Sequence, residues 1–254
     1  MCGTSLRTLS LSSAALLATG FGLVFFYAPA DADQGFVQKI FYIHVPMAIV
    51  ALCGFMAAGG MAIQHLRSGD RLWDLRAYVT IHLSIILGLG VLLTGSIWAR
   101  GSWGHWWVWN EPTLVSFLIV WLLYCTYQPL RFAIEDPDRQ ARYASVFAIV
   151  AGAFVPLNFL AVRLAQAYAH PRVLGTTGGN MPGSMRLTFL VCLSAVALQF
   201  VTLCKLELTT KRAAGRLRRQ TRDRAPATPE APPSARPSRT FERRPRTDAP
   251  PVLR

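Results

Sequence analysis

Five of the chain's seven tryptophans fall within twelve residues, in the run Trp98-Ala99-Arg100-Gly101-Ser102-Trp103-Gly104-His105-Trp106-Trp107-Val108-Trp109-Asn110-Glu111-Pro112. A membrane-interface belt accounts for one or two tryptophans per helix end. It does not account for Trp106, Trp107 and Trp109 on both faces of a short segment. Gly101 and Gly104 let the backbone turn and approach a flat partner closely. A broad aromatic platform suits a large planar ligand, because offset and edge contacts add to simple area burial.

The five histidines are the other residues with chemistry to offer. His44 and His170 each read either as imidazole ligands or as interfacial hydrogen-bonding groups, and their separation of 126 residues is no motif. His105 lies inside the tryptophan run, as a rival ligand. His82 falls within an apolar run, where an ionisable group is a functional candidate by default, although a bond to a neighbouring carbonyl would explain it. His65 closes an apolar run and needs only a solvated role. The five cysteines form no CxxC pair, no CxxCH box and no zinc spacing. Four of them sit in or at the end of apolar runs, as small hydrophobes do. Ser-His-Asp and phosphate-loop arrangements are absent, since Gly175-Thr176-Thr177-Gly178-Gly179-Asn180 has no following Lys.

The elements that must position these residues follow from composition. The 254 residues are 52% hydrophobic and 15% charged, with a mean hydropathy of +0.33. Soluble domains carry roughly 25% charged residues, so an ordinary soluble enzyme is disfavoured. Six apolar runs, at 9–28, 46–66, 78–98, 113–130, 143–162 and 185–206, are each near the roughly 20 residues that cross a bilayer. The expected fold is an all-α integral membrane protein with six transmembrane helices. The first run follows Arg7 and precedes small residues, like a signal peptide, but it exceeds the roughly 7–15 residues of a signal core, and a retained helix is expected. Residues 1–210 form the membrane domain. Residues 211–254 read as a disordered, basic, Pro-rich tail that cannot bury enough surface to offset its ordering entropy.

Six spans put both termini on one side. Residues 205–254 carry 14 of the 26 Lys and Arg and a net charge of +9, which by the positive-inside rule places the termini in the cytoplasm. Segments 29–45, 99–112 and 163–184 are then outside, and the chemistry belongs there. If Pro46 opens the second span, His44 lies at its outer edge. Loops 67–77 and 131–142 read as solvated charge mixtures. The tail, tethered at the surface, meets anionic headgroups first. Membrane lipid is therefore its expected partner, and nucleic acid is not.

The run from Trp103 through Asn110 resembles the tryptophan-rich "WWD" signature of haem-handling membrane proteins. Residues 8–206 as a whole are similar to the CcmC family of haem-delivery proteins in cytochrome c maturation. Six spans, the signature between spans three and four, Phe41-Tyr42-Ile43-His44-Val45-Pro46 and His170-Pro171 carry the resemblance. The family's acid at the motif's end is Asn110 here, with Glu111 following.

The resemblance implies a non-enzymatic protein of the bacterial inner membrane. It would bind a non-covalent, b-type haem at its periplasmic face and hand it to a periplasmic haem chaperone. His44 and His170 become the axial iron ligands, and Trp103, Gly104, Trp106, Trp107, Trp109 and Asn110 the haem platform. Arg100, Arg163, Arg172 and Arg186 are candidates for the two propionates, which the planar guanidinium suits; each also reads as an interface anchor. Subunits of an ABC-type exporter and a small membrane accessory protein are the implied partners. The alternatives are a membrane oxidoreductase subunit with a resident b-type haem, or a small-molecule permease.

Overall fold

The computed structural model describes residues 2–164 and 181–224. The described residues are almost wholly helical, and the single β-type contact is an isolated bridge between Asp31 and Gly35. Among the described residues, six helical segments are long and apolar enough to cross a membrane, at the six runs the hydropathy marks. The chain is a multi-pass membrane protein.

Helix α1 covers Cys2–Phe26. Lys39 ties its end to the next span, donating to the carbonyls of Val24 at 2.7 Å and Phe25 at 3.3 Å, a cation on the carbonyl end of a helix. A 3-10 turn at Phe36–Ile40 runs directly into α2, Phe41–Ser68. Pro46 does not open this span, contrary to expectation; it lies inside α2. As the sixth residue of the helix it removes the N–H that would bond the Tyr42 carbonyl. Anchoring comes from Phe41, whose ring packs 5.3 Å from Phe189 and 5.3 Å from Tyr42. His44 therefore stands within the helical span and not ahead of it.

Asp70 caps α3, Arg71–Trp103, by accepting from the Leu72 N–H at 2.8 Å. This helix runs past the expected limit at residue 98, so only residues 104–111 remain as a loop. Gly104, at φ 78°, makes the turn, a conformation that costs glycine nothing. Gly101 stays helical, and a Cβ there would come within 2.8 Å of the Val37 side chain; it serves close approach, not a turn. The fourth span consists of α4, Pro112–Cys125, and α5, Tyr127–Phe132. The fifth is α6, Pro137–Leu164.

The last helix, α7, covers Gly183–Arg224, so residues 211–224 are helical where disorder was expected from residue 211. The basic residues of that stretch are Lys and Arg, which favour helix in their own right. Residues 225–254 lie outside the described residues. The described residues up to Ala213 form one compact unit, and those from Ala214 belong to a second.

The core of the first unit is built by α2 through α6. Phe55 and Tyr124 stack at 3.7 Å, surrounded by Ala58, Ala62, Ala77, Ala144, Ala148 and Ala151, all buried. Such small residues let membrane helices approach closely. This core leaves the end carrying the tryptophan loop less filled, and the site lies there.

The opposite end departs from the expected solvated loops. Arg71 pairs with Asp138 at the surface, but Arg131 is buried, donating to both carboxylate oxygens of Asp74 at 2.7 and 2.6 Å and to the Tyr127 hydroxyl at 3.1 Å. Its guanidinium also lies 5.1 Å from the centre of the Tyr78 ring. His65, expected to be solvated, is buried, with Nδ1 3.0 Å from the Asp70 carbonyl oxygen. Among the described residues His82 engages the Gln128 side-chain amide at 3.3 Å and lies parallel to Tyr78.

Candidate functional site

At the tryptophan end, α2, α3, α4 and α6 enclose a cavity of about 430 Å³, within the roughly 300–1,000 Å³ of small-molecule sites. One face of α2 supplies Phe41, His44, Val45, Ala48, Ile49 and Leu52, spaced three and four apart as residues on one side of a helix must be. Val91, Leu92, Gly95 and Trp98 of α3 stand across from it, with Leu114 and Phe117 of α4 and Val155, Asn158 and Phe159 of α6 closing the walls. Met185 of α7 also contributes. The walls are mainly apolar, and the polar groups are few and placed individually.

His44 sits against α3, its Nδ1 3.0 Å from the Thr94 hydroxyl. Glycine at residue 95 leaves room for the ring in this position: a Cβ there would lie 2.8 Å from His44 Cε1. An imidazole held in this way in an apolar cavity can offer a nitrogen lone pair to a metal.

The tryptophans divide into two groups. Trp98, Trp103 and Trp107 line the cavity, and Trp98 meets Trp103 edge-on at 4.8 Å while donating to the Gln34 side chain at 3.2 Å. The indole N–H of Trp107 is buried and makes no hydrogen bond among the described residues. Such a donor is costly unless something at the site accepts from it. Trp106 and Trp109 are 60% and 72% exposed and do not line the cavity; Trp109 packs edge-on to Trp107 at 5.9 Å. Gly104 contributes the turn that aims the loop. His105 is exposed and also stands outside the lining.

The two residues at the motif's end take different roles. Asn110 is exposed. Glu111 is fully buried and caps α4, its carboxylate accepting from the Thr113 N–H at 3.3 Å, where the helix dipole favours negative charge. Glu111 thus anchors the loop to α4.

Of the arginine candidates, Arg100 donates to the Gly104 carbonyl and stands outside the lining. Arg186 is exposed, next in sequence to the lining Met185. The side chain of Arg163, and the whole of His170 and Arg172, lie outside the described residues. Among the described residues, sequence reasoning missed Gln34, Gln38, Asn158 and Thr94. Asn158 carried a signal, as a polar side chain inside an apolar run. Gln34 and Gln38 carried none, because polar residues in an outer segment are ordinary.

A family model described as CcmC, Heme exporter protein C, matches residues 1–224. Heme exporter protein C of Paracoccus denitrificans is 30% identical over 215 residues, covering 82% of this chain and 89% of that protein. The protein of the same name from Rhodobacter capsulatus is 35% identical over 181 residues, covering 63% and 74%. That from Escherichia coli K12 is 29% identical over 157 residues, covering 62% and 64%.

Proposed function

The chain belongs to the heme exporter protein C family, and on that premise we propose that it binds haem in the cavity at its tryptophan end and releases it to a periplasmic haem chaperone for c-type cytochrome maturation. The observation that carries this reading is the placement of His44 in the wall of an apolar cavity that Trp98, Trp103 and Trp107 also line. Haem is the cargo, and the residues suit it. The apolar walls match the porphyrin face, the His44 imidazole matches the iron, and the buried indole N–H of Trp107 is a donor for a propionate oxygen.

His44 is one axial ligand and His170 the other, giving a six-coordinate, b-type, non-covalent complex. No CxxCH box is present, so holding is reversible, as delivery requires. Trp106 and Trp109, exposed on the same loop, form the rim across which haem leaves. Arg186, with Arg163 and Arg172, supplies charge for the propionates. The tryptophan end faces the periplasm and both termini the cytoplasm, consistent with the charge of residues 205–254. The chain acts as a carrier and not as an enzyme, beside the subunits of an ABC-type exporter and a small membrane accessory protein.

The test is transfer. Purified protein loaded with haem should show the visible spectrum of a bis-imidazole complex and lose it on addition of an apo haem chaperone. Haem that stays bound and cycles between oxidation states without leaving would favour an oxidoreductase subunit; a protein that takes up no haem would favour a permease.

A further inference from the structure

We infer that Thr94 is a positioning residue for haem capture: it holds His44 in the tautomer that carries its proton on Nδ1, which makes Nε2 the iron-binding atom. The inference rests on the reading of His44 as an axial ligand. The Thr94 hydroxyl has one proton, and its oxygen is 2.7 Å from the Gly90 carbonyl oxygen and 3.3 Å from that of Val91. Carbonyl oxygens only accept, so the proton goes to Gly90, in the back-bond common for threonine inside helices. Toward His44, 3.0 Å away, the same oxygen then presents a lone pair, and Nδ1 is the donor.

In a neutral imidazole a proton on Nδ1 leaves the ring's lone pair on Nε2. Gly95 completes the seat, because the ring rests where a Cβ would come within 2.8 Å of Cε1. A hydrogen bond of this kind raises the basicity of a ligating histidine and fixes its orientation, and its loss typically costs about 10–100-fold in metal affinity. Without Thr94 the hydrogen bond to Nδ1 is lost, and the bound ring donates less electron density to iron.

The experiment uses the full-length protein loaded with haem, comparing wild type with Thr94→Val, which keeps the branched shape, Thr94→Ala, which favours helix, and Thr94→Ser, which keeps the oxygen. Haem affinity is read by competition with apomyoglobin, and the midpoint potential by redox titration. Valine and alanine should each lower ferric haem affinity by about 10-fold or more and raise the potential, since the weaker donor favours ferrous iron. Serine should stay near wild type in both. Unchanged affinity and potential in either the valine or the alanine variant would overturn the inference. His44→Gly, measured alongside, separates the two readings. If it leaves the haem spectrum unchanged, the ligand assignment itself is wrong; if it removes the ligand while the Thr94 variants match wild type, only the role of Thr94 is refuted.

Discussion

Arg131 and Asp74, 57 residues apart in sequence, form a two-pronged ion pair buried at the end of the bundle opposite the cavity. Breaking a buried pair by removing one partner leaves an uncompensated charge and costs about 3–5 kcal/mol. Asp74→Ala and Arg131→Ala should therefore each lower the melting temperature of the purified protein and its amount in membranes. The double replacement Asp74→Leu with Arg131→Leu should be tolerated better than either single one, because neither charge is then stranded. A double variant as unstable as the sum of the singles would show that the pair is not the unit.

Glu111 and Asn110 should respond in opposite ways. Glu111→Ala removes a cap, worth about 0.5–2 kcal/mol, and loosens the tryptophan loop from α4, so haem affinity should fall with stability. Asn110→Asp, on an exposed residue, should leave both unchanged. Haem titration and thermal melting of the two variants check this; a defect in Asn110→Asp with a normal Glu111→Ala would exchange their roles.

The tryptophans should separate into binding and release. Trp107→Ala loses a cavity wall, so haem affinity should fall without rescue by imidazole, because the lost contact is stacking area. Trp107→Phe keeps a ring and loses the N–H, and should fall between that variant and wild type. Trp109→Ala, on an exposed residue, should bind haem nearly normally and transfer it more slowly to the chaperone. Equal loss of affinity in Trp107→Ala and Trp109→Ala would put both in the cavity.

Much of this arrangement was legible in the sequence, and the omissions have physical causes. Hydropathy marks the six spans, because crossing a bilayer demands about 20 apolar residues at any site. It does not mark their ends: α3 continues from residue 98 to Trp103, since Arg100 and Ser102 are tolerated in a helix once it leaves the apolar layer. Pro46 looked like a helix start and lies within one, because the preceding 3-10 turn and the Phe41 contacts begin the span earlier. Arg131 read as solvated because a charge at the edge of an apolar run is ordinary, and nothing local points to Asp74. The tryptophans were visible as a cluster, but their division into lining and exposed rings depends on the turn at Gly104. Thr94 gave no signal, since a threonine in a membrane span commonly bonds only its own helix.

Topology is tested with reporters. A fusion after Gln220 should be cytoplasmic and an insertion after Gly178 periplasmic, as the positive charge of residues 205–254 requires. The reverse result at either position would place the tryptophan end in the cytoplasm and remove delivery to a periplasmic chaperone from the account.

The central claim is that His44 and His170 ligate the iron of a haem held beneath the tryptophan loop, and imidazole rescue tests it most directly. His44→Gly and His170→Gly should each lose one Fe–N bond and open a hole at the iron. Added imidazole should then enter, restore the six-coordinate visible spectrum and partly restore transfer to the chaperone. His105→Gly should keep the wild-type spectrum throughout. An imidazole-rescuable defect in His105→Gly, with normal bis-imidazole spectra in His44→Gly and His170→Gly, would contradict the account.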